Sequence, residues 1–515
     1  MAKKTRGSGP GGSDGSDGEL PSLPEIPEGE TTPPNVVPFK KPRGNGVTKG
    51  AEEETAWDRE PERLKALNDR YCLVIDGGRT WVVEFAEKDF GGRKRVVPVY
   101  LRPSEFENFY RNRKVVRQAR RGGGIVEVPE GTWWLDHPQR RTYQEIVFEP
   151  SRGEREYDGK LNLWRGFGVE EREGDWSLME RHIGEVIASG DGEHEKYLRN
   201  WLAWAVQNPG EPAEVVPVLR GKRGVGKGAL ANAVLALFGQ HGFSTGSSLH
   251  LAGRFNFHLK DTCFVFGDEA FYPGDHRAVE NLKYMITEKL IPIEGKGRDV
   301  IMTKNCLKII MGSNEDWIVP AGENERRFFV VDVSDRVIQD KKYFRALLSQ
   351  LEGGGHAAML WELRRTKLGD WHPREVVRTS ALYRQQLISM APFDKWLLSI
   401  LDEGIIPGHD PSSPDFAYSG HHYHIATPGE GFTSTAKREG VIAAIREQAP
   451  RLKGESDQDL ARRLKDMGCS RATVKNQRGW RFPPLARLRE EFAKRYPGTK
   501  FDPQEGWETD VPESS

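Results

Sequence analysis

Residues 1 to 55 hold almost no aliphatic side chains among their Gly, Ser, Pro and charged residues. Such a stretch buries too little apolar surface to offset the entropy of ordering, so a disordered tail is expected. The pattern changes at "RLKALNDRYCLVIDGGRTWVVEF", where apolar runs broken by Asp76, Gly77 and Gly78 predict a β-hairpin. "SEFENFYRN" predicts a short helix with Ser104 as its N-cap. The accessory region, residues 56 to 208, continues through "GTWWLDHPQRRTYQEIVFEP" and "LNLWRGFGV". It closes on a helix in which Leu198, Leu202 and Ala205 recur at helical spacing, ended by Asn208 and Pro209. Its core is expected to hold Trp133, Trp134, Trp201 and Trp204.

From residue 209 to 340 short apolar runs alternate with helical segments: "VVPVL", "GALANAVLALFG", "TCFVFGDEA", "CLKIIMGSN" and "RFFVVDVS". Near-continuous apolar strands separated by helices indicate an α/β core, a parallel sheet covered on both faces. Pro217 disagrees, because a proline there removes a ladder donor. A helical extension is expected over 341 to 405, a linker over 406 to 433, and a last domain over 434 to 515. In that domain "DLARRLKDMGCSRATVKNQRGWRFPPL" reads as a helix, a tight turn, a second basic helix and an extended piece holding Trp480 and Phe482. The order suggests a winged-helix-like DNA-binding domain, and it also suits a small protein-binding domain.

Chemistry concentrates in the α/β core. "GKRGVGKG" sets Gly221, Lys222, Arg223, Gly224, Val225, Gly226, Lys227 and Gly228 between an apolar strand and a helix. At that junction backbone N–H groups and the helix N-terminus can cradle the phosphates of ATP while Lys227 reaches the β and γ oxygens. A glycine-rich turn with a solvated lysine is the plainer alternative. Gly228 stands where a magnesium-binding Ser or Thr is usual; Mg²⁺ keeps several waters in any case, so a water can take that position. Asp268 and Glu269 end an apolar strand about 40 residues on. There Asp268 can hold Mg²⁺ and Glu269 can orient an attacking water, a hydrolase pairing for which a small-molecule phosphotransferase has no use. Ser313 and Asn314 end another strand, where Asn314 can sense the γ-phosphate. Arg326 and Arg327 precede the next strand, Arg327 being preferred as a transition-state arginine supplied to a neighbouring subunit; a surface salt bridge is the alternative.

These four elements in this order resemble the superfamily 3 helicases, most closely the phage and plasmid primase-helicase proteins of the poxvirus type, over roughly Arg102 to Asp335. "YLRNWLAWAVQNP", "GRFNFHL" and "NERRFFVVDVSD" carry the resemblance beyond the loop. It implies a P-loop, AAA+-like ATPase that forms hexameric rings and moves on single-stranded and forked DNA during replication. Lys227 then takes the Walker A role, Asp268 and Glu269 Walker B, Asn314 the sensor and Arg327 the finger. Family members often carry a primase domain upstream; the region preceding this core reads as too short for one, so a separate primase and DNA polymerase are expected, in a bacterial host's cytoplasm.

Charge refines this picture without deciding it. Lys plus Arg equals Asp plus Glu at 76 each, so polyanion contacts must come from local clusters. Lys296 and Arg298 lie in "EKLIPIEGKGRDVIMTKN", which reads as a hairpin able to reach a DNA strand. Arg471, Lys475 and Arg478 lie in the last domain, and "RNRKVVRQARR", residues 111 to 121, suits either phosphate contact or a solvated helix face. Four scattered cysteines argue for a reducing compartment, and no apolar run approaches a membrane span. The histidines of "HHYH", 421 to 424, lack a ligand set for zinc. A replication initiator or loader that uses ATP without unwinding is the second functional reading.

Overall fold

The computed structural model describes residues 61–89, 94–118, 125–269, 276–297, 299–316, 318, 321–322, 325–404, 441–474, 477–483 and 485–501. The expected tail, the linker over 406 to 433 and the histidines 421 to 424 lie outside them. Helix α1 (Pro61–Arg70) leads into β1 (Tyr71–Asp76), β2 (Arg79–Asp89) and β3 (Lys94–Leu101). Gly77 and Gly78, at φ 59° and 72°, make the two-residue turn between β1 and β2, a left-handed pair that side chains resist. Helix α2 (Pro103–Phe109) starts two residues earlier than expected. Its cap is Arg102, whose backbone N–H donates to the Glu105 carboxylate at 2.9 Å, because Pro103 fits the first helical position and leaves Ser104 inside the first turn.

The basic run at 111 to 121 is not a helix face where it is described: Lys114–Gln118 is strand β4, paired with β5 (Ile125–Pro129) in an antiparallel hairpin. Helix α3 (Glu130–Asp136) follows, and β6 (Thr142–Tyr143) joins the first sheet in the order β3-β2-β1-β6. Trp133 and Trp134 pack with Tyr71, Phe106 and Tyr110 in the accessory core. Trp201 and Trp204 do not. They sit on α4 (Gly192–Gln207), which packs with the central sheet, and Trp201 Nε1 donates to the Val215 carbonyl at 2.9 Å. Helical spacing showed that α4 had a buried face, but not which core would cover it.

The central sheet is mixed into an α/β unit by its crossovers. Strands β7 (Val216–Arg220), β8 (Gly242–Thr245) and β9 (Phe264–Asp268) are followed by the hairpin β10 (Leu290–Ile293) and β11 (Ile301–Lys304), then β12 (Lys308–Ser313) and β13 (Phe328–Asp332). The sheet runs β8-β9-β12-β7-β13, every pair parallel. Leu219, Phe266, Ile310 and Phe329 face one core, while Val218, Val265, Met311 and Val330 face the other, so alternate side chains are buried on both sides. Pro217 costs no ladder bond here. Val216 donates to the Arg327 carbonyl on the β13 side, so position 217 faces β12, and pairing with β12 begins only at Val218.

Helices α5 (Lys227–Phe238) and α6 (His276–Thr287) flank the sheet, and α7 (Lys341–Gln350), α8 (His356–Arg365), α9 (Ser380–Ser389) and α10 (Pro392–Glu403) follow it. The last region holds α11 (Val441–Gln448), α12 (Asp457–Asp466), β14 (Ser470–Val474), β15 (Gln477–Arg481) and α13 (Leu485–Arg495). The second basic helix expected there is instead the β14–β15 hairpin. Extended backbone suits the β-branched Thr473 and Val474 and sends Trp480 into a core shared with α10 and α13, where it is fully buried. All four cysteines are buried free thiols. Among the described residues no helix is long and apolar enough to cross a membrane.

Two buried links tie the accessory region to the core. Lys260 Nζ pairs with Asp76 Oδ2 at 2.9 Å, the two side chains only 5% and 10% exposed. His241 accepts from the Arg165 amide on Nε2 at 2.9 Å, so its proton is on Nδ1, which donates to the Asp261 carbonyl at 2.7 Å. Its ring stacks on Trp164 at 4.6 Å. Burial pushes the His241 pKa from 6.5 down to about 4. Above pH 6.5 both folded and unfolded chains keep this ring neutral. As pH falls toward 4 only the unfolded chain gains the proton, so stability is lost across that window, by about 3 kcal/mol from this group alone. Urea unfolding at stepped pH is expected to show this slope, and His241→Gln to flatten it; identical slopes for both proteins would remove His241 as the cause.

Candidate functional site

Strand β7, first of the five in sequence, lies between β12 and β13, so the chain order reverses beside it. The crevice outside the carboxyl ends of parallel strands at such a point is where an α/β sheet receives ligands. The loop from Gly221 to Gly226 occupies this place. Its entry is fixed by the Gly221 amide, which donates to the Ser313 carbonyl at 3.0 Å, and by Val225, which is fully buried. Gly224 and Gly226 take φ of 82° and 99°. Gly226 is the N-cap of α5, so the open N–H groups of the helix's first turn point out of the sheet edge. Lys227, 8% exposed, folds back on the loop, and its Nζ donates to the Gly221 carbonyl and, at 2.9 Å, to that of Lys222. Burial lowers the lysine's pKa, while Asp268 and Glu269 oppose the shift.

The two acids end β9, and β12 separates that strand from β7. Asp268 is open to the cleft, yet partial desolvation by the cleft walls and the Glu269 charge raise its carboxyl, with Lys227 and Arg223 pulling the other way. Glu269 adopts φ 53°, a left-handed conformation unusual for a side chain this long, and its amide donates to the Gly312 carbonyl at 2.8 Å. Its carboxylate accepts from Arg223 Nη2 at 3.3 Å. Asn314 closes a triangle: in the amide orientation that satisfies both neighbours, it donates to Glu269 at 2.9 Å and accepts from Arg223 Nε at 3.0 Å. Arg223, Glu269 and Asn314 thus join the glycine-rich loop to the ends of β9 and β12.

A cleft of about 830 Å³ brings together Arg223, Gly224, Gly226, Lys227, Gly228, Asp268 and Glu269. Several of its supports carry no sequence motif. His182, from a turn of π-helix at His182–Ile187, is fully buried, with Nε2 3.1 Å from the Gly226 carbonyl and Nδ1 3.0 Å from the Tyr343 hydroxyl. Burial lowers its pKa, so a neutral ring with its proton on Nε2 satisfies both contacts. Gln339 donates its amide to the Gly224 carbonyl at 3.0 Å, and Phe344 packs against Gly226. These residues lie 44 positions before and over 100 after the loop, beyond any local pattern; the only sequence signals were the polar His182 in an apolar helix and the aromatic pair Tyr343–Phe344.

The other sequence candidates lie elsewhere. Arg326 and Arg327 precede β13, whose first residue pairs with Val216 at the start of β7, so they lie at the sheet edge opposite the loop. Arg327 Nη1 meets Glu325 at 3.3 Å, and Arg326 is exposed. Lys296 is exposed at the tip of the β10–β11 hairpin; Arg298 lies outside the described residues. Arg471 is exposed on β14 and Arg478 is on β15, strands rather than the helix expected, while Lys475 lies outside the described residues.

Residues 219–327 match the model of a family of unknown function, DUF5906. The chain is 27% identical over 220 residues to the DNA primase-polymerase of Nitratiruptor phage NrS-1, an overlap of 40% of this chain and 30% of that protein. Among solved structures, the ligand-free C-terminal region of NrS-1 superposes with a TM-score of 0.56 at 16% identity, covering 84% of this chain and 100% of that one. Its A form gives 0.52 at 16% identity, over 72% and 94%. The sequence likeness is to a phage replication protein of which the chain matches less than a third; the structural likeness is one of fold.

The two loop glycines differ in what a side chain would meet. A Cβ at Gly226 would lie 2.4 Å from His182 Cε1 and 2.8 Å from Phe344, at a φ that side chains resist, whereas one at Gly228 would meet nothing within 4 Å. Gly226→Ala is expected to destabilise the protein by about 1–3 kcal/mol. Gly228→Ser is expected to leave the unfolding midpoint within about 0.5 kcal/mol of wild type. Denaturant titrations of the two variants check both; equal losses would show that the packing at Gly226 is not what fixes the loop.

Proposed function

We propose that this protein is an ATP-dependent replicative DNA helicase, acting as a ring of copies that hydrolyse ATP to move along single-stranded DNA and part the duplex at a fork. The observation that carries the reading is the single cleft in which Lys227, Asp268 and Glu269 converge from two non-adjacent strands, with Asn314 at the end of the strand between. The N–H groups of the loop and of the first turn of α5 suit a triphosphate, and Lys227 exchanges the Gly221 and Lys222 carbonyls for phosphate oxygens. Asp268, an oxygen donor open to the cleft, fits Mg²⁺, with waters where Gly228 offers no hydroxyl. The bound ion supplies charge neutralisation across the phosphates. Glu269 holds the attacking water and Asn314 orients it.

Support for a DNA motor comes from outside the cleft. The β10–β11 hairpin offers Lys296 to a strand's phosphates, and α10, α11 and α12 followed by the β14–β15 hairpin run in the order of a winged helix, with Arg471 outward. Arg326 and Arg327 lie away from their own cleft, which supports assigning them to a neighbouring copy's cleft. Likeness to a phage protein named a DNA primase-polymerase supports a place in DNA replication; priming and extension by a separate primase and polymerase complete the proposal.

Strand displacement on a forked duplex, with ATP turnover followed in the same samples, tests the reading. Wild type is expected to show DNA-stimulated hydrolysis and displacement. Lys227→Ala should lose turnover by on the order of 10²-fold or more. Glu269→Gln should still bind ATP while turning over on the order of 10²-fold more slowly. Duplex binding with ATP turnover and no displacement would replace the helicase with the initiator or loader. Mixing Arg327→Ala with Lys227→Ala subunits should restore part of the ATPase if the arginine acts in trans, and none if it does not.

A further inference from the structure

Helix α7 carries two stripes. Tyr343, Leu347 and, just past the helix, Leu351 pack into the main core. Lys341, Phe344 and Leu348, three and then four residues apart on another face, line the cleft. Leu348 is 45% exposed there. Helix α5 contributes Gly228, Ala229 and Asn232 to the same cleft, and a Cβ at Gly228 would meet nothing within 4 Å. The cleft therefore has two chemistries. Its loop end is built of N–H groups, Lys227 and acids, which suit phosphates and a metal. At its α7 end Phe344 and Leu348, beside Lys341 and Gln339, form a bulky apolar patch facing Gly228 and Ala229, and phosphates neither need nor can use that apolar patch.

Phe344 is not free to swing away. It packs edge-on against Tyr343 at 5.3 Å and His182 at 6.0 Å, and its ring edge lies 2.8 Å from where a Gly226 Cβ would stand. The wall is thus held in register with the loop that faces the phosphates. We infer that the heterocyclic base of a nucleoside triphosphate lies in this slot, against Phe344 and Leu348. The inference rests on the nucleotide-hydrolysing reading of the loop and adds the half of the ligand which that loop leaves unspecified. Contact with an apolar wall reads a π-face and not a hydrogen-bond pattern, and every base has a π-face. Discrimination among bases at this wall is accordingly weak, within about tenfold.

The test separates base from phosphate. Calorimetric titration of the full chain compares a non-hydrolysable ATP analogue with inorganic tripolyphosphate, in wild type, Leu348→Ser and Phe344→Leu. Leu348 is half in solvent, so the first variant preserves the fold; the second keeps an apolar side chain against His182 but loses the ring. Wild type is expected to bind the analogue more tightly than tripolyphosphate. Each variant should weaken the analogue about tenfold, the scale of losing one buried apolar contact, and Leu348→Ser, which does not touch the loop, should leave tripolyphosphate unchanged. Equal wild-type affinities for both ligands, or a Leu348→Ser variant that weakens both ligands alike, would overturn the base site while leaving the phosphate loop standing. Failure of wild type to bind either ligand would instead overturn the nucleotide reading itself, and this inference with it. GTP and CTP analogues differing from the ATP analogue by more than about a hundredfold would rule out stacking as the mode of recognition.

Discussion

The site is held by the close approach of three chain segments at Gly226. His182 comes from the helix turn before α4, Phe344 from α7, and the glycine itself from the step between β7 and α5. No side chain fits at that point, because a Cβ would enter the volume of a fully buried imidazole. Since His182 bonds to both the Gly226 carbonyl and Tyr343, and Gln339 bonds to Gly224, the loop is braced from outside the sheet as well as by it. A loop whose backbone must present N–H groups to a ligand gains from being shaped beforehand, since less ordering remains for the ligand to impose.

Electrostatics within the cleft are balanced in a way that leaves its charges available. Lys227 is partly desolvated yet satisfied by two carbonyls, which are exchangeable partners rather than a fixed ion pair. Arg223 leans on Glu269 and Asn314 from a largely solvent-exposed position, so that contact is worth little energetically and can be given up when a ligand competes. Partial desolvation, and then the neighbouring Glu269 charge, raise the Asp268 carboxyl. Water and ions thus meet an arrangement of groups that are positioned by backbone but not consumed by one another.

Beyond the cleft, the accessory sheet is joined to the core by links of unequal strength. Lys260 and Asp76 form a pair almost fully out of water, and such a pair is costly to break because one charge is left uncompensated. Arg79 and Asp299, which connect the β1–β2 turn with the β10–β11 hairpin at 3.1 Å, are both more than half exposed and hold weakly. The hairpin that carries Lys296 therefore rests on the accessory sheet without being locked to it. The apolar stripe Leu290 and Met302, each more than half exposed, keeps its outer face available for contact.

Local chemistry wrote much of this molecule. The strand-loop-helix around Lys227, the Asp268–Glu269 strand end, the Gly77–Gly78 turn and the alternation of apolar strands with helices could all be read from neighbours in sequence, because each depends on backbone conformations and burial patterns spanning a few residues. Where a competing local rule was close in strength the reading failed. Ser104 yielded the cap to the residue before Pro103, and residues 470 to 481 paired as strands because a tertiary core was there to receive Trp480. What only the folded chain decided was convergence: that α4 and its tryptophans serve the sheet, that Pro217 falls where no partner awaits its missing N–H, and that His182, Gln339 and Phe344 close on one loop. Those contacts join residues tens to more than a hundred positions apart, and no periodicity along a chain encodes which distant surface will cover a given face.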